Sequence, residues 1–488
     1  MKIKWFALLM FVSGTFSGYA NERPNMMFIL ADDCTFRDLE LYGGPARTPH
    51  INKLAAEGMT FSRCYQAAPM CSPTRHNLYT GIYPVKSGAY PNHTFVYPEV
   101  KSIPHYLKEQ GYRVALIGKT HIGPKENFPF EYIDDFGFYG KDKQGRLEKQ
   151  PYPSPRYPAL DRFIRECVES NTPFCIFAAS NEPHGPYTNG DASVYRNKDY
   201  DLPGNLVDTP KTREEYARYL AEITFFDGQV GECVSMLKKH GVDGNALVMV
   251  ATEQGSSFPY GKWTTYENGV ASGLVVSWPG KIAAGGKSDA MVEYCDVVPT
   301  LLAAAGAPVP DAVEGRSFLP VLTGKATKHK DYAYSIHTSV GVNGNKAPYG
   351  VRSVVSQRYR YIRNLTPGNA FSISMTNPLI EGRMQKNYLG EWVGRAEAGD
   401  GNAQALVDGI IHRPAEELYD IIADPYCRNN LSGNPEHAET KKALSGKLDA
   451  WMKQQGDQGA QTELDAAKRC TKLLKDAKAE TKKKKQGQ

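Results

Sequence analysis

"NMMFILADD", residues 25–33, decides how the chain is to be read. Its apolar stretch does not alternate with polar residues, so a strand here has both faces covered, as in a parallel sheet between helices. It stops abruptly at Asp32 and Asp33. Three later stretches share this texture: "YRVALIGKTH" (112–121), "PFCIFAASNEPHGP" (173–186) and "ALVMVATEQG" (246–255). They run into Lys119 and His121, into His184, and into Glu253 and Gln254. In an open α/β sheet, ligands bind in the crevice beyond the carboxyl ends of the strands. Parallel neighbours would therefore gather all four polar sets in one crevice.

Helical patterns lie between the strands. "TPHINKLAAEG" (48–58) is amphipathic and closed by Gly58. "SIPHYLKEQG" (102–111), residues 213–241 and "YCDVVPTLLAAAG" (294–306) follow the same period. Alternating strands and helices predict a mostly parallel sheet sandwiched by helices, an α/β domain over residues 21–325. Beyond it, "YAYSIHTS", "YGVRSVVSQ", "RYRYIRNL" and "EELYDIIADP" read as short strands of a smaller antiparallel sheet, followed by a helix near 437–455. Residues 326–455 form this C-terminal α+β subdomain, and 456–488 read as a charged tail, helical or disordered.

The 488 residues are 41% hydrophobic and 23% charged, an ordinary globular balance. A net charge of +5, partly from the terminal "TKKKKQGQ", leaves no nucleic-acid footprint. The first twenty residues, "MKIKWFALLMFVSGTFSGYA", read as a secretory signal peptide cut after Ala20, so the mature protein is expected to be secreted or periplasmic. No later run approaches the ~20 apolar residues of a membrane span. Nine cysteines in irregular spacing without a CxxC pair argue against zinc and against a dense disulfide framework, with room for one or two bridges.

Asp32, Asp33 and Glu253 offer carboxylates, and Gln254 offers an amide oxygen. Such hard donors suit Ca²⁺, or less well Mg²⁺. An Asp-Asp pair by itself is equally a turn or a helix cap. Buried together, the carboxylates need a cation or a basic partner. Lys119, His121, His184 and Lys262 (in "GKWTTYENG") add positive charge and proton transfer. With a cation they describe a site for a tetrahedral anion. In "APMCSPTRHNLYTG" (68–81), Pro73 suits a first helical turn, which puts Cys71 at a helix N-terminus and Arg75 about one turn on. A thiolate nucleophile sits oddly beside a hard cation, and a buried inert cysteine leaves the spacing unexplained. His76, directly after Arg75, and His93, in "GAYPNHTF", are subsite candidates.

The run Cys71-Ser72-Pro73-Thr74-Arg75 with Thr80-Gly81 resembles the C-x-P-x-R…T-G signature of the formylglycine-dependent (type I) sulfatases of the alkaline phosphatase superfamily. "ILADD", "TPHINKLAAEG", "GYRVALIGKTHIG", "NEPHGPY", "VSWPG", "DVVPTLLAAAG", "EGRSFLPVL" and "EELYDIIADP" follow in family order, from about residue 24 to 455. The resemblance implies that a formylglycine-generating or anaerobic sulfatase-maturating enzyme converts Cys71 to Cα-formylglycine before folding. A hydroxyl of the hydrated aldehyde then attacks sulfur, the substrate alcohol leaves, and the remaining hydroxyl expels sulfate. Carried over, Asp32, Asp33, Glu253, Gln254 and residue 71 bind Ca²⁺, and Arg75 and Lys119 steady the formylglycine. His121 moves protons at its hydroxyls, His184 meets the leaving oxygen, and Lys262 holds a sulfate oxygen. Many relatives have Asp-Asn, Asp-His or Asp-Gln where this chain has Glu253-Gln254. "GKTHIGPKENFPFEY" and "EQGSSFPYGKW" look most like the branch holding N-sulfoglucosamine sulfohydrolase and bacterial polysaccharide-desulfating relatives, which implies a sulfated oligo- or polysaccharide substrate. Two other readings stand beside it: a phosphomonoester or phosphonate hydrolase of the same superfamily, and a non-catalytic glycan-binding relative.

Overall fold

The structure, a computed structural model, describes residues 23–133, 139–141, 147–149, 157–196, 198–383 and 385–470. The expected signal peptide and the lysine-rich end lie outside the described residues. Strands β1 (Asn25–Leu30), β2 (Met59–Tyr65), β3 (Arg113–Gly118) and β4 (Glu131–Ile133) come first; β5 (Tyr139–Lys141) and β6 (Leu147–Lys149) pair only with each other. Then follow β7 (Phe174–Ala179), β8 (Ala246–Ala251), β9 (Ala271–Ser277), β10 (Gly286–Ser288) and β11 (Val292–Glu293). The main sheet runs β10-β2-β9-β8-β1-β7-β3-β4, with β11 alongside β2. It is mostly parallel; only β9 runs against its neighbours, β2 and β8.

Alternate residues of β1 enter opposite layers. Met27 and Ile29 pack with helices Pro49–Ala56, Pro158–Glu169 and Pro210–Lys239. Met26, Phe28 and Leu30 pack with helices Cys71–Thr80, Ile103–Glu109 and Val297–Ala304. Each large apolar side chain so removed from water stabilises the fold by about 1.5–3 kcal/mol. Polar residues inside these strands would forfeit that and leave groups unsatisfied, so the polar residues collect past the strand ends.

The register fixes where those ends are. Leu30 lies opposite both Ala179 and Ala251, and Ala179 lies opposite Gly118. Strands β8, β1, β7 and β3 are therefore consecutive parallel neighbours that finish level.

A second sheet, β12 (Ala333–Thr338), β13 (Gly350–Val355), β14 (Tyr359–Asn364) and β15 (Glu416–Asp420), is antiparallel in that order. Helix Ala438–Gln455 lays Leu444, Leu448, Trp451 and Met452 between this sheet and Ala67, Ala68, Tyr83 and Tyr90 of the first domain. Residue 455 is not a packing boundary. Gly456, in the left-handed conformation, ends the helix, and a further helix, Ala460–Arg469, docks beyond it. Buried Arg352 pairs with Asp457 and, at 2.9 Å, with Glu463; Cys470 bridges to Thr94. Residues 456–470, read from sequence as the start of a tail, are thus part of the fold, because buried charges and apolar groups tie them down. All nine cysteines are buried and free, so the bridges that the sequence left room for do not form.

Candidate active site

Past the level strand ends the ladder continues briefly. Asp32 N–H donates to Glu182 O at 2.8 Å, and Lys119 N–H donates to Ala179 O at 2.8 Å. The chain then turns through left-handed backbone at Asp33 (φ 62°), His121 (φ 51°) and Glu253 (φ 60°). For residues other than glycine this conformation costs roughly 1–3 kcal/mol each and persists only where the surroundings over-determine it. Three such turns, past β8, β1 and β3, aim the side chains inward.

Helix Cys71–Thr80 begins at Cys71, follows extended Met70, and ends at Gly81 in the left-handed region (φ 70°). All ten of its residues are buried. Its first turn brings Cys71 Sγ to 3.5 Å from Asp32 Oδ1 and 3.9 Å from Asp33 Oδ1, while Gln254 Nε2 stands 3.2 Å from the sulfur. One turn on, Arg75 donates from Nη1 to Lys119 O at 3.1 Å and sets Nη2 2.7 Å from Glu253 Oε1 and 3.7 Å from Asp32 Oδ1. Lys119 Nζ donates to Asp32 Oδ2. Asp33 Oδ2 accepts from Lys262 Nζ at 2.7 Å and Ser257 Oγ at 3.1 Å, with His184 Nε2 at 3.5 Å; Gln254 Nε2 donates to Asp33 Oδ1 at 2.6 Å.

Burial alone would raise Asp32, but Lys119, His184 and Arg75 hold its carboxyl well below the usual range. Lys262 and His184 likewise outweigh burial at Asp33. Glu253 goes the other way: burial, reinforced by the Asp32 charge, drives it well up despite Arg75. Burial pushes the Cys71 thiol up to about 12, Lys119 and Lys262 notwithstanding, so as cysteine this side chain is a neutral thiol near pH 7. Burial, aided by Lys119, lowers His121 well below the ordinary histidine value, and burial lowers His184.

Donor atoms of Asp32, Asp33, Cys71 and Glu253 lie within 4.8 Å of one another. Among the described residues, Glu253 Oε1 faces only the Arg75 guanidinium as an ion pair, while Glu253 Oε2 and Gln254 Oε1, also buried, accept no hydrogen bond. Buried acceptors are nearly always satisfied. Two that are not, beside two more carboxylates, fit a hard cation. The cluster can hold a metal ion.

The crevice thus brings together Asp32, Asp33, Cys71, Arg75, Lys119, His121, His184, Glu253, Gln254 and Lys262. His93 joins its rim, with its ring centroid 4.9 Å from that of His121. His76 is not brought there. Its ring is fully buried between Ser72 O (2.7 Å) and Gly123, whose N–H it meets at 3.0 Å, and burial lowers it to about 4. The i to i+4 spacing from Ser72 was the available signal that His76 faces back along its own helix. Sequence reasoning missed Ser257, which lies in "EQGSSF" directly after the strand and bonds Asp33. It also missed Tyr294, whose hydroxyl accepts from Glu253 N–H at 2.8 Å and whose distance in sequence gave no signal.

Residues 24–307 match the family described as Sulfatase. The chain belongs to the sulfatase family. Residues 255–374 of this sulfatase also match the family described as N-sulphoglucosamine sulphohydrolase, C-terminal. It is 31% identical over 447 residues to an ulvan-active sulfatase of Formosa agariphila, covering 90% of this chain and 82% of that one. It is 26% identical over 477 residues to the N-sulphoglucosamine sulphohydrolase of Homo sapiens, covering 89% and 91%. A solved structure described as a complex with its substrate D-glucosamine-2-N,6-O-disulfate superposes with TM-score 0.67 at 21% identity, over 89% of this chain and 99% of that one. The sulfatase has the alkaline phosphatase superfamily fold and is a sulfuric ester hydrolase. No helix among its described residues is long and apolar enough to cross a membrane.

Proposed function

We propose that the enzyme releases sulfate from the esters, or from an N-sulfate, of a sulfated oligo- or polysaccharide, with Cys71 matured to Cα-formylglycine and one Ca²⁺ at the acidic cluster. One observation carries this reading: hard oxygen donors and two lysines surround the side chain of residue 71, and buried Glu253 Oε2 and Gln254 Oε1 lack hydrogen-bond donors. A thiol held up to about 12 is a poor nucleophile there, whereas an aldehyde hydrate supplies oxygens of the kind this cluster suits. Asp32, Asp33, Glu253, Gln254 and residue 71 would hold the ion, which when bound supplies Lewis-acid polarisation of the sulfate group.

Lys119 and Lys262 flank the position of residue 71 and neutralise sulfate oxygens as charge develops. Arg75, locked between Glu253 and the Lys119 carbonyl, keeps that first helical turn in place. His121 moves the proton at the hydroxyls of residue 71. His184, a third exposed with Nε2 facing Asp33, delivers one to the leaving oxygen. Burial of all of residues 71–80 favours modification before folding, by a formylglycine-generating or anaerobic maturating enzyme, on a chain whose leader directs it to the periplasm or outside the cell. The likeness to ulvan-active and N-sulphoglucosamine enzymes supports a glycan substrate.

The test is release of inorganic sulfate and phosphate by the matured chain from N- and O-sulfated glucosamine and from ulvan and carrageenan oligosaccharides, with Cys71→Ala as blank. Sulfate release that disappears in Cys71→Ala is expected. Phosphate release alone, or no sulfate from a chain whose residue 71 is an aldehyde by peptide mass, would overturn the reading.

A further inference from the structure

His121 projects from left-handed backbone just past β3, and the ring packed against it is that of His93, with planes inclined by 50°. His93 is itself in the left-handed region (φ 55°), so its own loop does not favour this placement. Its Nδ1–H donates to the Gly341 carbonyl at 3.0 Å, which fixes the tilt of the ring.

The loop that carries it is fastened on both sides. On the far side, Arg469 donates from Nε to Gly88 O at 3.1 Å and from Nη2 to Phe95 O at 2.7 Å, and its guanidinium lies 4.2 Å over the Tyr97 ring. Thr94 Oγ1 donates to Arg469 O at 2.6 Å, and Cys470 Sγ meets Asn92 O at 3.4 Å. Gly341 (φ 83°) comes so close that a Cβ there would stand 2.3 Å from Asn92 O. On the near side, Val96 N–H donates to Gly123 O at 3.0 Å, two residues beyond His121. These fastenings come from β12's following turn and from residues 469–470. The matches to the two families end at residues 307 and 374, so the terminal fastening lies beyond both.

We infer that His93 is a positioning residue for His121, and that the docked segment 456–470 holds it in place. This rests on the proton-transfer role proposed for His121. The imidazole must point its nitrogen at one reacting hydroxyl, and a misplacement of about 1 Å is enough to cost up to a hundredfold in rate. A side chain on strained backbone at a crevice rim needs a wall, and the ring of His93, tied to the second domain, supplies one.

The experiment uses the full, matured chain with three variants: His93→Ala, His93→Phe, and the double variant Thr94→Val/Arg469→Ala, which keeps both rings but loosens the fastening. Steady-state constants and the pH profile of kcat are measured on the best substrate. The imidazole Cε1–H resonance of His121, assigned with His121→Gln, is followed in parallel. His93→Ala and the double variant are expected to lower kcat about tenfold or more with KM changed less than about twofold, and to alter the pH profile. His93→Phe, which restores a ring, is expected to recover most of kcat. The double variant is expected to move the His121 resonance. An unchanged kcat and pH profile in His93→Ala would overturn the inference. So would a raised KM with kcat kept, which would make His93 a substrate contact, or an unmoved resonance in the double variant. If the wild-type chain releases no sulfate, the proposed function falls, and the resonance of His121 decides the positioning by itself.

Discussion

The first domain holds two buried acidic clusters, and they are finished differently. Around Asp296, near the seam with the second sheet, every carboxylate oxygen meets a donor. Asp296 Oδ1 accepts from Arg316 N–H at 2.8 Å and pairs with Lys330 at 2.7 Å; Oδ2 accepts from Glu293 N–H at 2.9 Å and faces His329 at 3.1 Å. Glu293 Oε2 accepts from Tyr83 OH (2.7 Å) and Lys330 (2.6 Å), and Oε1 accepts from Tyr334 N–H (3.2 Å). Around Cys71, by contrast, Asp32 and Asp33 are paired and Glu253 Oε1 faces Arg75 at 2.7 Å, but Glu253 Oε2 and Gln254 Oε1 accept no hydrogen bond. Acidic residues drawn together are therefore not enough to mark a metal site. What marks it is acceptor capacity that the protein leaves unspent in a place too dry for water to take it up.

The sharpest way to break this contrast is at residue 71. Cys71→Ala is expected to lower sulfate release by about a thousandfold or more. A variant with residual activity near wild type would mean that the cluster works without that side chain. Next in size, Lys330→Met leaves Glu293 and Asp296 buried without their cation and is expected to cost about 3–5 kcal/mol in urea unfolding. Its sulfate release per folded molecule is expected to stay unchanged, because the two clusters share no side chain.

Calcium sharpens the comparison from the other side. Saturation at a hundred times its Kd is expected to raise stability by about 2.7 kcal/mol, and chelation to remove it. Glu253→Gln should shrink that increment, whereas Lys330→Met should leave it whole. An equal loss in both would erase the distinction drawn between the clusters.

Acid reads the paired cluster directly. Burial would raise Asp296, but Lys330 and His329 hold it down at about 2. The unfolded carboxyl, near 3.9, binds its proton first, so this stabilisation is complete above about pH 5 and is lost as pH falls toward 2. It amounts to about 2 kcal/mol, and Asp296→Asn is expected to flatten that part of the stability–pH curve measured by urea unfolding. The smallest effect is expected from Ser257→Ala, which removes one donor from Asp33. About 1 kcal/mol, or a few-fold in calcium affinity by titration, is its expected size.

Much of this was legible in the chain. Unbroken apolar runs ending in polar pairs gave four strands, and the neighbours β8, β1, β7 and β3 are those four. Strands β2 and β9 were not read, since their residues mix small and polar types that local pattern does not separate from loop. His76 and His93 looked alike in sequence, but one closes back on Ser72 while the other reaches Gly341. The segment after residue 455 reads as a charged tail, helical or disordered, because its docking depends on Arg352, over a hundred residues earlier.

The sequence by itself determined the covalent order of strand, polar end and helix, and the spacing from Cys71 to Arg75 that sets both on one helical face. These follow from local periodicity and from what a strand or a helix turn permits. Only the tertiary structure decided which acceptors stay unsatisfied, which histidine meets the crevice, and that residues 469–470 fasten the loop beside His121. Those outcomes depend on distances between residues far apart in the chain, fixed once the sheet register and the packing of the second domain are in place.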